Sequence, residues 1–138
     1  MNRFKDIGLA RVLLVDGNPT SRLTLKTVLE AGGYAVDSAA SAAEAYGKME
    51  EREYQLVLTD MQMESPESGL RVLQHARMMV YKPAMALINS SMDSGRDSAP
   101  VLVEPQDVPG ILSTVADLIG LRASKGIERE MRLAGAGA

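Results

Sequence analysis

With 138 residues and 46% hydrophobic content, the chain is sized for one globular domain around a single core. Its 15 basic and 18 acidic residues leave a formal charge of -3, and no run of basic residues offers the electrostatic footprint that direct DNA or RNA binding requires. Cysteine is absent, which excludes disulfides and thiolate metal sites, and neither a signal-peptide core in MNRFKDIGLA nor a membrane-spanning run is present, so a cytoplasmic protein without membrane contact is expected.

Residues 11 to 16 (RVLLVD) form a continuous apolar run ending in Asp16, as a strand covered on both faces would. A helix is expected from about Pro19 to Ala31. Proline suits its first turn, Leu25, Val28 and Leu29 form its buried stripe, and Gly32-Gly33 stops it. Residues 34 to 38 (YAVDS) alternate and hold Asp37, which suits an edge strand. From Ser41 a second helix follows: Ser41 and Glu44 make a capping box, and Ala42, Ala45, Tyr46 and Met49 fall at i, i+3, i+4 and i+7.

Residues 55 to 60 (QLVLTD) repeat the pattern of an apolar run closed by an acid, Asp60. A third helix is expected over 69 to 80 through Val72, Ala76, Met79 and Val80; its histidine, His75, the only one in the chain, reads as a surface residue outside any carboxylate cluster. Shorter strands are expected at 84 to 88 (AMALI) and 101 to 103 (VLV). Asp107 then caps a last helix whose stripe is Val108, Ile111, Leu112, Val115, Leu118 and Ile119, closed by Gly120. The tail from Leu121 is expected to extend that helix for a turn or two and then fray, giving a domain over 1–120 and a tail over 121–138.

Strand and helix alternate five times with one gap, the pattern of a doubly wound parallel sheet. The gap is NSSMDSGRDSAP, residues 89 to 100, where Met92 and Ala99 are the only apolar residues. About a dozen residues suffice for a parallel crossover, so the helix between the fourth and fifth strands is expected to be absent or reduced to a turn.

Ligands in such sheets bind outside the carboxyl ends of the strands, which is where Asp16 and Asp60 stand. If the first and third strands are neighbours, the two carboxylates converge and a cation or a proton must relieve their repulsion. VLLVDGNPTSR, then LVLTDMQM, Gly69-Leu70 and a late strand ending in Glu104-Pro105, resembles a response-regulator receiver domain over roughly residues 10 to 120. The resemblance implies a flavodoxin-like α/β fold with strand order 2-1-3-4-5 and a phosphoryl group accepted from a histidine kinase on Asp60. It also implies Mg2+ held by Asp16, Asp60 and the backbone carbonyl of Gln62.

Several positions depart from the family pattern. Receivers carry two adjacent acids after the first strand, and the second is Gly17 here, which weakens metal binding. The lysine before the proline after the last strand is Glu104, followed by Pro105. The small hydroxyl residue ending the fourth strand aligns with Ile88 or Asn89, with Ser90 and Ser91 close by, and the aromatic switch position of the last strand with Val101. Two unit charges about 4 Å apart interact by roughly 4 kcal/mol at an effective dielectric of 20, so replacing an attractive lysine by a glutamate opposes the phosphorylated state more than a lost metal ligand does. Asp16, Asp60 and Glu104 would alternatively form an oxygen trio for a divalent cation.

The expected function is that of a receiver in two-component phosphorelay signalling, with degenerate phosphorylation chemistry and output through protein contacts. Its partners would be a histidine kinase, another signalling protein or a second copy of the chain. An alternative keeps the fold and drops the chemistry: a pseudo-receiver that docks or dimerises independently of phosphate. A third class, a flavodoxin-like enzyme or cofactor-binding protein, fits less well. A dehalogenase-type phosphotransferase needs a second acid where Gln62 stands, and a flavin phosphate loop at GNPTSR would follow a repelling Asp16.

Overall fold

The computed structural model describes residues 10–61, 63, 65–88, 102–103 and 107–136. Among them, strands β1 (Arg11–Val15), β2 (Ala35–Ala39), β3 (Leu56–Asp60), β4 (Ala84–Ile88) and β5 (Leu102–Val103) pair in parallel in the order β2-β1-β3-β4-β5. Helices α1 (Pro19–Ala31), α2 (Ala42–Glu51), α3 (Ser68–Arg77) and α4 (Val108–Ala136) cover the sheet. This is the flavodoxin-like arrangement expected from the alternation of runs. The segment from 89 to 100, where a crossover helix is expected to be missing, lies outside the described residues.

The apolar runs are unbroken because both sheet faces are covered. Val12, Leu14, Leu56, Leu58, Ala86 and Ile88 point to one face and pack with Leu25 and Leu29 of α1 and Ile111 and Val115 of α4. Leu13, Val15 and Val57 point to the other, against Ala42, Ala45 and Met49 of α2 and Val72 and Ala76 of α3. Alternation of side chains along each strand divides one hydrophobic run between two cores.

Helix α1 has both predicted ends. Asn18 is its N-cap, accepting the amides of Thr20 and Ser21 on Oδ1, and Pro19 opens the first turn. At the other end Gly33 N–H donates to Glu30 and Tyr34 N–H to Leu29, with Gly33 at φ 99°. This is a Schellman closure, and its left-handed residue is a glycine because a Cβ there is strained. In α2, Ser41 Oγ accepts the Glu44 amide while Glu44 reaches back to the Ala40 amide, one residue before the cap.

Strand β2 is an edge, as its alternation predicts. Asp37 is accommodated there because Tyr54 donates its hydroxyl to Oδ2 at 2.8 Å and Arg11 Nη1 lies 3.7 Å from the same oxygen. Burial, then the hydrogen bond and charge of Asp37, push the Tyr54 phenol above its usual range. Tyr81 is also pushed up, to about 12, by burial and by Glu50 and Glu53; its hydroxyl donates to the Met49 carbonyl at 3.0 Å.

Three expectations need correction. Helix α3 ends at Arg77, not at residue 80: Met78 and Met79 donate back three residues in tight turns, Val80 is 91% exposed, and Lys82 takes a left-handed φ of 44° before β4. His75 is half-buried, stacked on Tyr46 with ring centroids 4.6 Å apart, and its Nε2 lies 3.3 Å from a Glu50 carboxylate oxygen. Helix α4 does not close at Gly120 but runs unbroken for 29 residues to Ala136, far beyond a turn or two. Arg122 explains its persistence past the glycine, since Nε donates to the Lys82 carbonyl at 3.0 Å and Nη2 to the Tyr81 carbonyl at 2.7 Å.

Candidate functional site

Pairing register builds the site. Val12 lies opposite Leu56 and, step by step, Val15 opposite Thr59, so one further step sets Asp16 beside Asp60 at the carboxyl edge of the sheet. Asp60 lies opposite Ile88 and Ile88 opposite Val103. Asp16, Asp60, Ile88 and Val103 therefore form a row across four strands, at the edge where open α/β sheets take their ligands.

Asp16 is only 2% exposed. A carboxylate that deep is tolerated when its oxygens are hydrogen-bonded, and Oδ1 accepts the Asn18 amide at 3.0 Å. The backbone around it is equally fixed: its N–H donates to the Ala39 carbonyl at 3.0 Å, and its carbonyl accepts Arg22 Nη1 at 2.8 Å. Asn18 thus both caps α1 and orients Asp16. Neither its orienting role nor that of Arg22 carries a signal in the sequence beyond proximity to the acid.

Asp60 ends β3 partly buried, with its carbonyl accepting the Thr59 hydroxyl at 2.9 Å. The chain after it is seated by the first turn of α3. Gly69 N–H donates to the Met61 carbonyl at 2.9 Å, and a Cβ on Gly69 would run into the Asp60 carbonyl oxygen and stand 2.6 Å from Met61 Cα. Only glycine permits that approach. Buried Ser68 secures the same loop, its Oγ accepting the Met63 amide and donating to the Ser65 carbonyl, both at 2.8 Å.

Gly17 is exposed beside this edge, and nothing in its surroundings demands a glycine. A Cβ there would meet Met63 Cγ at 3.4 Å and the Ala40 carbonyl at 3.7 Å, ordinary contact distances. The second acid of the family pattern is therefore missing for a reason other than space. Ile88 sits at the register position next to Asp60 and is buried in the core against the α1 and α4 face, so it presents no hydroxyl. Gln62, Asn89, Val101, Glu104 and Pro105 lie outside the described residues.

Two carboxylates at adjacent strand ends make an oxygen-donor site suited to a hard cation. Among the described residues no group of three or more His, Asp or Glu could hold a metal ion, so Asp16 and Asp60 would leave most of the coordination sphere to carbonyl and water.

A family model described as Response regulator receiver domain matches residues 12–102, a span that contains both aspartates. The chain belongs to the response-regulator receiver family. Receiver domains are signalling modules of two-component systems, not conventional enzymes; they carry a phosphoaccepting aspartate and bind Mg2+ beside it. The receiver fold is also that of the chemotaxis protein CheY4 of Vibrio cholerae, with TM-score 0.72 and 20% identity over 80% of this chain and 99% of that one. NtrX from Brucella abortus gives TM-score 0.77 at 18% identity, over 90% of this chain and 30% of that one. A gliding motility regulatory protein of Myxococcus xanthus is 33% identical over 118 residues, which are 86% of this receiver and 14% of that protein. This chain thus spans a small part of the curated relative that it matches. Among the described residues no helix is long and apolar enough to cross a membrane.

Proposed function

We infer that this receiver takes its phosphoryl group on Asp60 from a phosphohistidine partner, with weakened chemistry, and signals through protein contacts. The register that sets Asp16 beside Asp60 carries this reading. A carboxylate oxygen of Asp60 attacks phosphorus in line with the phosphohistidine nitrogen; the P–N bond breaks as the P–O bond forms, and the released imidazole takes up a proton. Asp16, Asp60 and the carbonyl of Gln62 would hold Mg2+, which supplies charge neutralisation for the phosphoryl oxygens. Buried Asp16, locked by Asn18 and Arg22, serves as the fixed anchor of that set. The receiver unit proper is taken as 1–120, with the continuation of α4 as its appendage.

The weakening rests on three residues. Gly17 removes a carboxylate from the cation side, Ile88 puts a methyl-bearing side chain where a hydroxyl would bond a phosphoryl oxygen, and Glu104 places a negative charge in the motif position of the phosphate-pairing lysine. Ile88, buried in register with Asp60, also favours a second reading in which the site is silent and the chain is a phosphate-independent docking or dimerisation module.

Intact mass after incubation with acetyl phosphate and Mg2+ separates the two. An adduct of one phosphoryl group, absent from Asp60→Ala, supports the acceptor. A folded protein that stays unlabelled while an authentic receiver labels in parallel would leave the docking reading.

A further inference from the structure

A cavity of about 510 Å3 opens at the amino end of β4, the opposite end of the sheet from Asp60. Its walls come from the α3–β4 turn and the middle of α4. Among the described residues every charged side chain that lines it is a cation, Arg77, Lys82, Arg122 and Lys125, although the chain as a whole is acidic. These four are scattered over 49 positions of sequence, which is why no basic run announces them; the fold gathers them.

The floor between the cations is apolar, formed by Met85, Leu118 and Leu121. Leu121 is 53% exposed, and the turn that supplies Lys82 also leaves Met78 and Val80 exposed. Apolar side chains bared around a charged rim mark a surface that a partner covers. A small anion in the cavity would leave Met78 and Val80 in water. Nor, among the described residues, does the lining include an aromatic ring on which a nucleic-acid base could stack.

We propose that this cavity docks an acidic segment of a partner protein, with an aliphatic or aromatic side chain seated on Met85, Leu118 and Leu121 and flanking carboxylates paired with Arg77, Lys82 and Lys125. Charge complementarity selects the segment and the apolar seat holds it. Arg122 and Lys82 are the tethered members of the rim: the Arg122 guanidinium is bonded to the Tyr81 and Lys82 carbonyls, and Lys82 Nζ donates to the Arg77 carbonyl at 2.7 Å, keeping its other N–H groups for a carboxylate. Arg77 and Lys125 are exposed and free to reach outward. The site is remote from Asp60, so the proposal does not depend on phosphoryl transfer.

The test is selection of a random displayed-peptide library on the intact chain at low salt, followed by titration of the winners against the parent and the Arg77→Glu/Lys125→Glu variant. Neither side chain buttresses the core, and a matching circular dichroism melt would verify that the variant folds. The expected peptides carry at least two acids flanking an apolar anchor, bind the variant about tenfold or more weakly, and weaken with added salt. Leu121→Ser, which keeps the charges, should weaken them as well. The proposal is overturned by peptides without acidic bias, by equal binding to the charge-reversed variant, by no enrichment at all, or by tighter binding of a single-stranded oligonucleotide to the same residues. It is equally overturned if the parent self-associates in light scattering and the charge reversal abolishes that, which would assign the cavity to a second copy of the chain.

Discussion

The amide of Gly69 donates to the carbonyl of Met61 at 2.9 Å, so the first turn of α3 is bonded directly to the residue after Asp60. A methyl group on Gly69 would press against the Asp60 carbonyl and Met61 Cα, both backbone atoms with no side-chain freedom to yield. Gly69→Ala is therefore expected to destabilise the receiver by about 1–3 kcal/mol through overpacking and to slow any labelling of Asp60. Urea melts and acetyl phosphate incubation measure the two effects. Parent-like values in both would mean that the loop relaxes away from the helix at little cost.

Gly17→Asp tests whether the missing acid is all that limits cation binding. The added side chain meets only ordinary contacts at Met63 and Ala40, so it is accommodated without steric cost, and saturating Mg2+ should stabilise the variant by up to about 1.4 kcal/mol more than it stabilises the parent. Affinity for Mg2+ should rise about tenfold, because a third carboxylate joins Asp16 and Asp60. Calorimetric titration is the measurement of choice, since the chain has no tryptophan whose emission could report the ion. Unchanged affinity would place the limitation elsewhere.

Glu104→Lys restores the residue type of the family pattern before Pro105. The swing from repulsion to attraction is bounded by about 8 kcal/mol, twice the roughly 4 kcal/mol of one pair at 4 Å and dielectric 20, and solvent lowers it. A longer-lived adduct at Asp60 is expected, read as the fraction labelled and its decay by mass spectrometry. If the lysine variant labels no better than the parent, the controlling departure is Gly17 or Ile88 and not Glu104.

Tyr81 and Tyr54 predict an alkaline limit to stability. Both phenols are raised in the folded state, so the folded chain holds protons that the unfolded chain gives up. Their contribution is complete below the ordinary tyrosine value of about 10 and is lost as pH climbs toward 12. Denaturant midpoints should thus be level between pH 7 and 9 and fall above 10, and Tyr81→Phe should fall less steeply. A midpoint independent of pH up to 12 would contradict the assigned burial.

Much of this molecule could be read locally. Pro19 and Gly32-Gly33 bracket α1 because helix-end signals act within a turn of the residues that form them, and the row of Asp16 and Asp60 follows from two apolar runs ending alike. What escaped reading depends on partners far along the chain. Gly120 resembles a helix stop, yet α4 passes through it because Arg122 is bonded to carbonyls about 40 residues earlier. Asp37 is paired with Tyr54, 17 residues away, and His75 with Tyr46 and Glu50 on a neighbouring helix. Gly69 was visible as a motif glycine, but the carbonyl that requires it became apparent only once β3 and α3 were placed side by side.

The anchoring of α4 has a mechanical consequence. Ala136 lies fourteen positions beyond Arg122 in one continuous helix, an arm of about 21 Å at 1.5 Å per residue. Pivoted at the Tyr81–Lys82 carbonyls, a tilt of about 10° would swing its tip sideways by nearly 4 Å, using the same rise per residue. A shift in the α3–β4 turn too small to alter the sheet would thus be enlarged at the far end of the arm, where a neighbouring protein could read it as displacement.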